Sequence, residues 1–542
     1  MKITRKRLMA TAPAILCLAA AGFAAWAISC PQFGHGRFDV VYSEKTLGPK
    51  DVGFFAPSLA TSQDLMHLAY VAQRGGNRVV VRDGVVGPEY DVVESDEEPS
   101  ALQMDSTGRH VVYSARRGEK WFVVVDGVEQ GVFDCVRLFR LSPDGSHVCS
   151  CVVRDGQDTI RIQSLDNDAR DVVETPVQGT VADCRWSPKG NRLACVIVRG
   201  GQSWVRVDGQ EFGPYLLEMS FEWSPDGGRW LVLLGKTGFE QRLIVNGVEV
   251  RDAVADEPVV WSADGKRFAY VARREKGKAY VVDGIAGKPY DRVADGAFSP
   301  DGRRFAYAAY TAQAPLGASV VVDNHEGAPY LDVKSPCFGY DGHFAFVAAE
   351  GNKRFVVTDG IAGKAYYTIE GLAFASDGST VRYEADYQVF VLGSLEGRPH
   401  EDIRFEHESW MLSDLEVSPD CRHMAYMTAV ISPLERLQTA INSWMLRPIL
   451  SSTYTARSRV VLDRSSGPPC DYASSVVFSG DSRHAAYVAQ CHGRLCLVVD
   501  GHRNRDIDGD YILAARIIGD SLRLIMSRKG QHILIDIRLK SI

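Results

Sequence analysis

Several sets of residues in this 542-residue chain have the type and spacing to do chemistry. A serine follows Gly519-Asp520, and Gly480-Asp481-Ser482 repeats the arrangement. Such a serine becomes a nucleophile when a histidine and a carboxylate converge on it. Asp506, Asp508 and Asp510 alternate along the chain, a spacing that could gather oxygen ligands for calcium. Tyr90-Asp91 and Tyr290-Asp291 set a phenol beside a carboxylate, the groups of acid–base catalysis. Cys184 with Cys195, and Cys491 with Cys496, are spaced to face each other across hairpins, as a disulfide would require. Arg116-Arg117 and Arg273-Arg274, together with Arg74, Lys120, Arg199, Lys276 and Lys353-Arg354, could attract an anionic ligand.

All of these residues belong to one recurring phrase. Residues 260–293 read VWSADGKRFAYVARREKGKAYVVDGIAGKPYDRV, and 298–333 read FSPDGRRFAYAAYTAQAPLGASVVVDNHEGAPYLDV. Twelve copies can be anchored on one turn position: Leu65, Gly108, Gly145, Gly190, Gly227, Gly265, Gly302, Gly342, Gly378, Cys421, Ser482 and Ser521. Most steps are 36 to 45 residues, and the step from Cys421 to Ser482 is 61, which marks an insertion. In each copy, period-two alternation bounded by Gly and Asp turns predicts four short strands, A to D. A repeat of this length and content predicts an all-β fold, a β-propeller of about twelve four-stranded blades.

Twelve blades exceed the usual four to eight per ring. Two tandem rings are therefore expected, at 36–294 and 295–542, with a single large ring as the alternative. The last copy supplies strands B and C and then ends. Gly36–Tyr42 (GRFDVVY) looks like an orphan strand D, expected to pair with that last blade and close the sheet from both chain ends.

The repeat also answers the first chemical question. Ser521 falls at the A–B turn, where other copies carry Ser-Pro-Asp-Gly, so a structural role is expected. Asp506, Asp508 and Asp510 lack the following Gly and the later bidentate Glu of a calcium loop. The Tyr-Asp pairs recur in many blades, which predicts a repeated hydrogen-bonding role. The cysteines stay open between cross-hairpin disulfides and buried free thiols. No CxxC or histidine pair completes a four-ligand set, so no metal is expected. No catalytic residue and no cofactor is assigned.

Phe298-Ser299-Pro300-Asp301-Gly302 with its alternating strand resembles the blades of bacterial WD-repeat-like propellers, of which the TolB-like type is the nearest. The N-terminal propeller of prolyl oligopeptidases is similar. The resemblance covers about residues 54–537 and implies a fold far more than a function. Strand C ends here in Val-Asp-Gly where WD repeats carry Trp-Asp, and no separate TolB-type N-terminal domain is visible. Gly519-Asp520-Ser521-Leu522 spells the GDSL string of a lipase family, but in that family the serine stands near the start of an α/β domain. No G-x-S-x-G elbow is present.

Residues 1–30 read as an export address. Lys2, Arg5, Lys6 and Arg7 precede an uncharged apolar run from Leu8 to Ile28. Cleavage after Ala25-Trp26-Ala27, lipidation of Cys30 within Ala27-Ile28-Ser29-Cys30, and retention as an uncleaved membrane anchor compete. Each reading places the propeller outside the cytoplasm, periplasmic or at the cell surface. The net charge of −7 offers no basis for nucleic-acid binding.

Recognition is expected on the face carrying the B–C and D–A loops, read here as the longer ones. The insertion at 431–457 opens there. Ser432, Pro433 and Glu435 form a helix start, and Pro448 follows the end. Leu434, Leu437, Ile441, Trp444 and Met445 recur at helical spacing, and Trp410 lies in the linker before the same blade. These residues are the expected partner-binding patch, and Arg116, Arg117, Arg273 and Arg274 the expected anion-binding set. The function expected is a non-catalytic scaffold binding a protein or cell-envelope polymer and tethered to a membrane through its N-terminal segment. The alternative is a polysaccharide- or peptide-acting propeller enzyme with its site at a central channel.

Overall fold

The computed structural model describes residues 38–541 apart from 48–52, 94–101, 167–170, 216–218, 235–241, 251–252, 254–258, 313–316, 387–388, 394, 398–415, 431–456, 464, 492, 520 and 530. The described elements are all strands, arranged as twelve antiparallel sheets that each run A–B–C–D. Blades 1 to 6 occupy 53–90, 102–129, 135–176, 180–215, 219–250 and 260–286. Blades 7 to 11 occupy 292–330, 332–366, 369–397, 416–466 and 472–507. Blade 12 takes 511–541 and completes itself with Phe38–Thr46.

Each A–B turn is built by its own sequence. In Ser262-Ala263-Asp264-Gly265 the serine hydroxyl donates to Asp264 at 2.6 Å and accepts the Arg267 N–H at 2.9 Å. The next position lies in the left-handed region, where glycine is unstrained. Eleven of the twelve anchor positions have φ between 56° and 85°. In the last copy the anchor moves: Gly519 takes φ 61°, and Ser521 already opens strand B opposite Ile518.

The C–D turn explains the recurrent Val-Asp-Gly. Asp283 sits at φ 50° in a tight hairpin turn. Its carboxylate accepts the Phe268 N–H at 3.1 Å and the Arg267 guanidinium at 2.6 Å. In blades 1, 2, 8, 10 and 11 a histidine replaces the arginine: His67–Asp83, His110–Asp126, His343–Asp359, His423–Asp463 and His484–Asp500, at 2.6–2.8 Å. Where arginine is kept it also reaches the next blade. Arg267 donates to the carbonyls of Gly302 and Arg303, at 2.9 and 2.7 Å, and lies over the Phe298 ring.

The core is a series of apolar layers between blades rather than one central mass. One runs from Ala269, Val271 and Tyr280 of blade 6 to Phe305, Tyr307 and Ala309 of blade 7. Comparable layers join every consecutive pair of blades. A further one joins the last blade to the first, through Ile525 and Leu534 against Leu68, Tyr70 and Val81. Among the described residues no such layer joins blade 1 to blade 6 or blade 7 to blade 12, as two separate rings would require. The boundary expected at 294 falls inside strand Arg292–Phe298 of blade 7. The packing is that of one continuous round, and the two-ring division finds no counterpart in it.

Closure takes the expected form. Phe38–Thr46 pairs antiparallel with Gln531–Ser541, from Phe38 opposite Ser541 to Thr46 opposite Ile533. Arg528 clamps Glu44 with two hydrogen bonds, of 2.8 and 3.0 Å. That guanidinium, aided by the Tyr42 hydroxyl and opposed by desolvation, holds the Glu44 carboxyl down at about 2. A carboxyl depressed in the folded state contributes stability that is full above its unfolded pKa of 4.5 and lost as pH falls through about 2. Amide exchange in 38–46 is accordingly expected to accelerate between pH 4.5 and 2, relative to 485–499, and Glu44→Gln is expected to remove that pH-dependent component.

Candidate functional site

The B–C and D–A face differs from its sequence reading in one respect. Several described B–C connections are two-residue turns, including Gly75-Gly76, Gly118-Glu119, Gly200-Gly201 and Gly351-Asn352. They are as short as the C–D turns, so length alone does not mark this face. The Asp of a Tyr-Asp pair holds one of these turns and the longer B–C connection of blade 7. Asp91 accepts the Gly118 N–H of the next blade at 2.7 Å, and Asp291 accepts the Ala312 N–H at 2.7 Å. The tyrosines Tyr90 and Tyr290 are buried in the layers between blades. The recurrent pair therefore stitches blade to blade, as its repetition implied.

The four arginines expected to bind an anion lie on blades 2 and 6, which are not neighbours. Arg117 pairs with Glu129 at 3.0 Å and covers the Tyr90 ring at 4.9 Å. Arg116 lies over Trp121 and donates to the Gly118 carbonyl. Arg274 donates to the carbonyl of Arg273, whose own side chain is exposed. Lys120 pairs with Asp134, Arg199 with Glu211 and Arg354 with Asp332. Most of these cations meet local carboxylates.

Cys30, Trp410, Leu434, Leu437, Ile441, Trp444 and Met445 lie outside the described residues, as does the helix expected at 431–457. The strands on either side are described. Strand D of blade 9 ends at Gly397, and blade 10 begins at Glu416. Strand B of blade 10 ends at Val430, and its strand C begins at Arg457. In an A–B–C–D meander the D–A and B–C connections leave their strands on the same face, so the strand ends at Gly397, Glu416, Val430 and Arg457 share one face. Among the described residues no helix is long and apolar enough to cross a membrane, and the run 8–28 lies outside them.

The remaining chemical candidates resolve into structure. Ser521 is 1% exposed, at the root of strand B. Asp506 pairs with Arg503, Asp508 lies near Arg528, and Asp510 accepts the Lys529 N–H, so the three carboxylates turn to separate partners. A groove of about 500 Å3 lies between blades 8 and 9, lined by Val356, Thr358, Lys364, Tyr366 and Tyr383 among others.

Blade 3 is where the layers change character. Its strands His147–Arg154 and Gln157–Ser164 bury Cys149, Cys151, Asp158, Arg161 and Gln163 where other blades carry Ala, Val and Tyr. Asp158 accepts Arg137 Nε at 3.0 Å and the Val181 N–H at 2.9 Å. Cys184 and Cys195 are direct cross-strand partners, as expected, with sulfurs 2.6 Å apart. Cys491 and Cys496 are 3.9 Å apart at the sulfurs and are not direct partners. All four stand as thiols.

Cys149 joins the first pair from the neighbouring blade, and the three sulfurs lie within 4.8 Å of one another, all buried. The two thiols that hydrogen-bond to Cys149 hold it down at about 5, while Cys184 and Cys195 are pushed up, chiefly by hydrogen bonding with Cys149. The pairwise spacing read in the sequence missed this third sulfur. The signal was the register of the repeat: four residues beyond the anchor glycine faces the following blade, and five beyond faces the preceding one. Ala269 and Tyr307 meet in this way in blades 6 and 7. Cys149 and Cys195 hold those positions in blades 3 and 4.

These features define a twelve-bladed β-propeller closed by an N-terminal strand. No protein-family model matches the sequence, and no curated protein matches it. Solved structures similar to it include a eukaryotic initiation factor, at 14% identity and a TM-score of 0.30, covering 61% of this chain and 96% of that one. The β-propeller domain of the Trilobed protease from Pyrococcus furiosus aligns at 13% identity and a TM-score of 0.25, over 51% of this chain and 97% of that one. An oligogalacturonate lyase aligns at 11% and 0.24, over 52% and 92%. The fold assignment rests on the sheet topology itself.

Proposed function

We propose that this chain is an extracytoplasmic, membrane-associated scaffold built from WD-repeat-like, TolB-like blades, binding a protein or cell-envelope polymer through the B–C and D–A face around blade 10, without catalysis. The observation that carries the reading is the insertion at 431–457 between strands B and C of blade 10, where the repeat step lengthens to 61 residues. It carries Leu434, Leu437, Ile441, Trp444 and Met445, and Trp410 lies in the linker before the same blade. Apolar anchors on a rigid frame are a common means of docking a partner. The basic head and apolar run of residues 1–30 support export, with Cys30 as the lipidation candidate or the run 8–28 as the anchor.

The test is a crosslinked pull-down of C-terminally tagged protein from its native membrane fraction. A near-stoichiometric partner is expected, and it is expected to disappear when 431–457 is deleted or when Leu437→Asp and Trp444→Ala are combined in a protein of unchanged melting temperature. A partner retained by both variants would move the site elsewhere. Recovery of no partner, together with turnover of polysaccharide or peptide by the purified propeller, would replace this reading with the enzymatic one.

A further inference from the structure

We propose that Cys149, Cys184 and Cys195 form a buried three-thiolate site for one soft monovalent metal ion, with the cuprous ion as the representative of that class. The ligands come from strand B of blade 3 and strands A and B of blade 4, so the ion would join two blades. Thiolate sulfurs select soft ions over the hard cations that favour oxygen. Three metal–sulfur bonds of about 2.3 Å in a plane give edges of about 4 Å, inside the 4.8 Å span of the cluster. Cys184 and Cys195 would spread from their 2.6 Å contact, and Cys149 would close the triangle.

The number of ligands and the dryness of the site decide against zinc. A structural zinc site takes four ligands, and a three-ligand zinc site completes itself with water. Here the sulfurs are at most 2% exposed and lie among Leu138, Ile160, Val177, Val181 and Ile197, which leave water no place. Cys151, the nearest further thiol along strand B, turns instead to Asp158 at 3.8 Å. An ion of charge +1 on three thiolates leaves −2, and Arg140 and Arg206, which pair with Asp183 and Glu211, lie nearby. Loading replaces the thiol protons of Cys149, Cys184 and Cys195 with metal–sulfur bonds. Three protons leave per ion, and no redox step is needed.

The experiment is an anaerobic titration of the reduced full chain with cuprous ion buffered by a competing chelator, followed by sulfur-to-copper charge-transfer absorption and X-ray absorption. One ion per chain with three sulfur neighbours is expected, together with a rise in melting temperature on loading. Cys149→Ser and, as a second variant less prone to bury an unpaired hydroxyl, Cys149→Ala are each expected to lose this stoichiometric binding and the thermal shift. Their unloaded melting curves and β-sheet dichroism report whether they are folded. Cys337→Ser, a substitution in another blade, is expected to retain both. Binding that survives in the folded Cys149 variants overturns the proposal, as does the absence of one-to-one uptake. A Cys184–Cys195 disulfide in protein isolated without reductant, with no copper uptake after reduction, also overturns it and assigns the pair to a structural crosslink.

Discussion

Removing strand Phe38–Thr46, by truncating the chain to begin at Leu47, is expected to be among the most damaging changes this protein can suffer. The nine residue pairs between this strand and Gln531–Ser541 would be lost together. Each ladder hydrogen bond contributes about 0.5–1.5 kcal/mol net, so the loss should exceed about 4 kcal/mol. The Tyr42 ring and Val40, which pack on the layer between blades 11 and 12, would go as well. The outer strand of blade 12 would then present an unpaired edge, which invites aggregation. Amide exchange in 531–541 should accelerate by about a thousandfold or more, with a lower melting temperature and concentration-dependent aggregation. Unchanged protection there would mean that blade 12 holds its shape from its own three strands and its packing on blades 11 and 1.

A second large effect is expected at Asp500. Its carboxylate accepts the His484 ring nitrogen at 2.8 Å and the Ala485 N–H at 2.9 Å, and the His484 side chain is only 1% exposed. Asp500→Ala removes the acceptor from a buried imidazole and a buried amide at once. Each buried donor that loses its acceptor costs about 1–3 kcal/mol, so the two together should cost about 2–5 kcal/mol. Asp359 makes the same two contacts, to His343 and Phe344, but there both side chains are about 40% exposed. Water can replace the lost partner at that site, so Asp359→Ala should destabilise far less.

The two aspartates share the same backbone strain, with φ 49° and 50°, so that cost cancels in the comparison. Asp→Asn keeps an acceptor oxygen and tolerates the left-handed backbone, so it should recover much of the loss at Asp500. Chemical denaturation of the four variants against wild type reads the difference. Equal losses for the two alanine variants would show that burial does not set the strength of this repeated contact. At His343 the Asp359 hydrogen bond raises the imidazole above its ordinary value. The resulting contribution is full below the unfolded pKa of 6.5 and is lost as pH rises through the raised value. Asp359→Asn should therefore flatten the pH profile between neutral and mildly alkaline conditions.

Most of the architecture was legible because each blade is specified by local chemistry. The Ser-x-Asp-Gly turn and the Asp-Gly hairpin are formed by residues within a few positions of one another, so a short window contains both cause and effect. The closing strand was legible for a related reason: a blade lacking strand D leaves an unsatisfied edge, and Gly36–Tyr42 had the pattern to fill it. The anchor at Ser521 was misplaced because the last copy shortens its turn, and counting along the chain cannot see that Gly519 has taken the positive φ. The long-loop reading of the B–C turns does not hold where two-residue turns stand, as at Gly75-Gly76 and Gly118-Glu119, because a Gly-containing pair can close a hairpin without a loop.

Strand order, blade count and the stitching role of the Tyr-Asp pairs were decided by sequence alone, since each depends on a pattern repeated along the chain. The tertiary structure alone decided how the copies meet. It set one continuous round of inter-blade layers in place of two, since the packing of the last blade on the first lies almost a whole chain length apart in sequence. It paired off Arg116 and Arg117 with local aromatic rings, a carboxylate and backbone carbonyls. And it brought Cys149 to Cys184 and Cys195, because sulfurs on different blades converge only when the relative register of two sheets is fixed by packing.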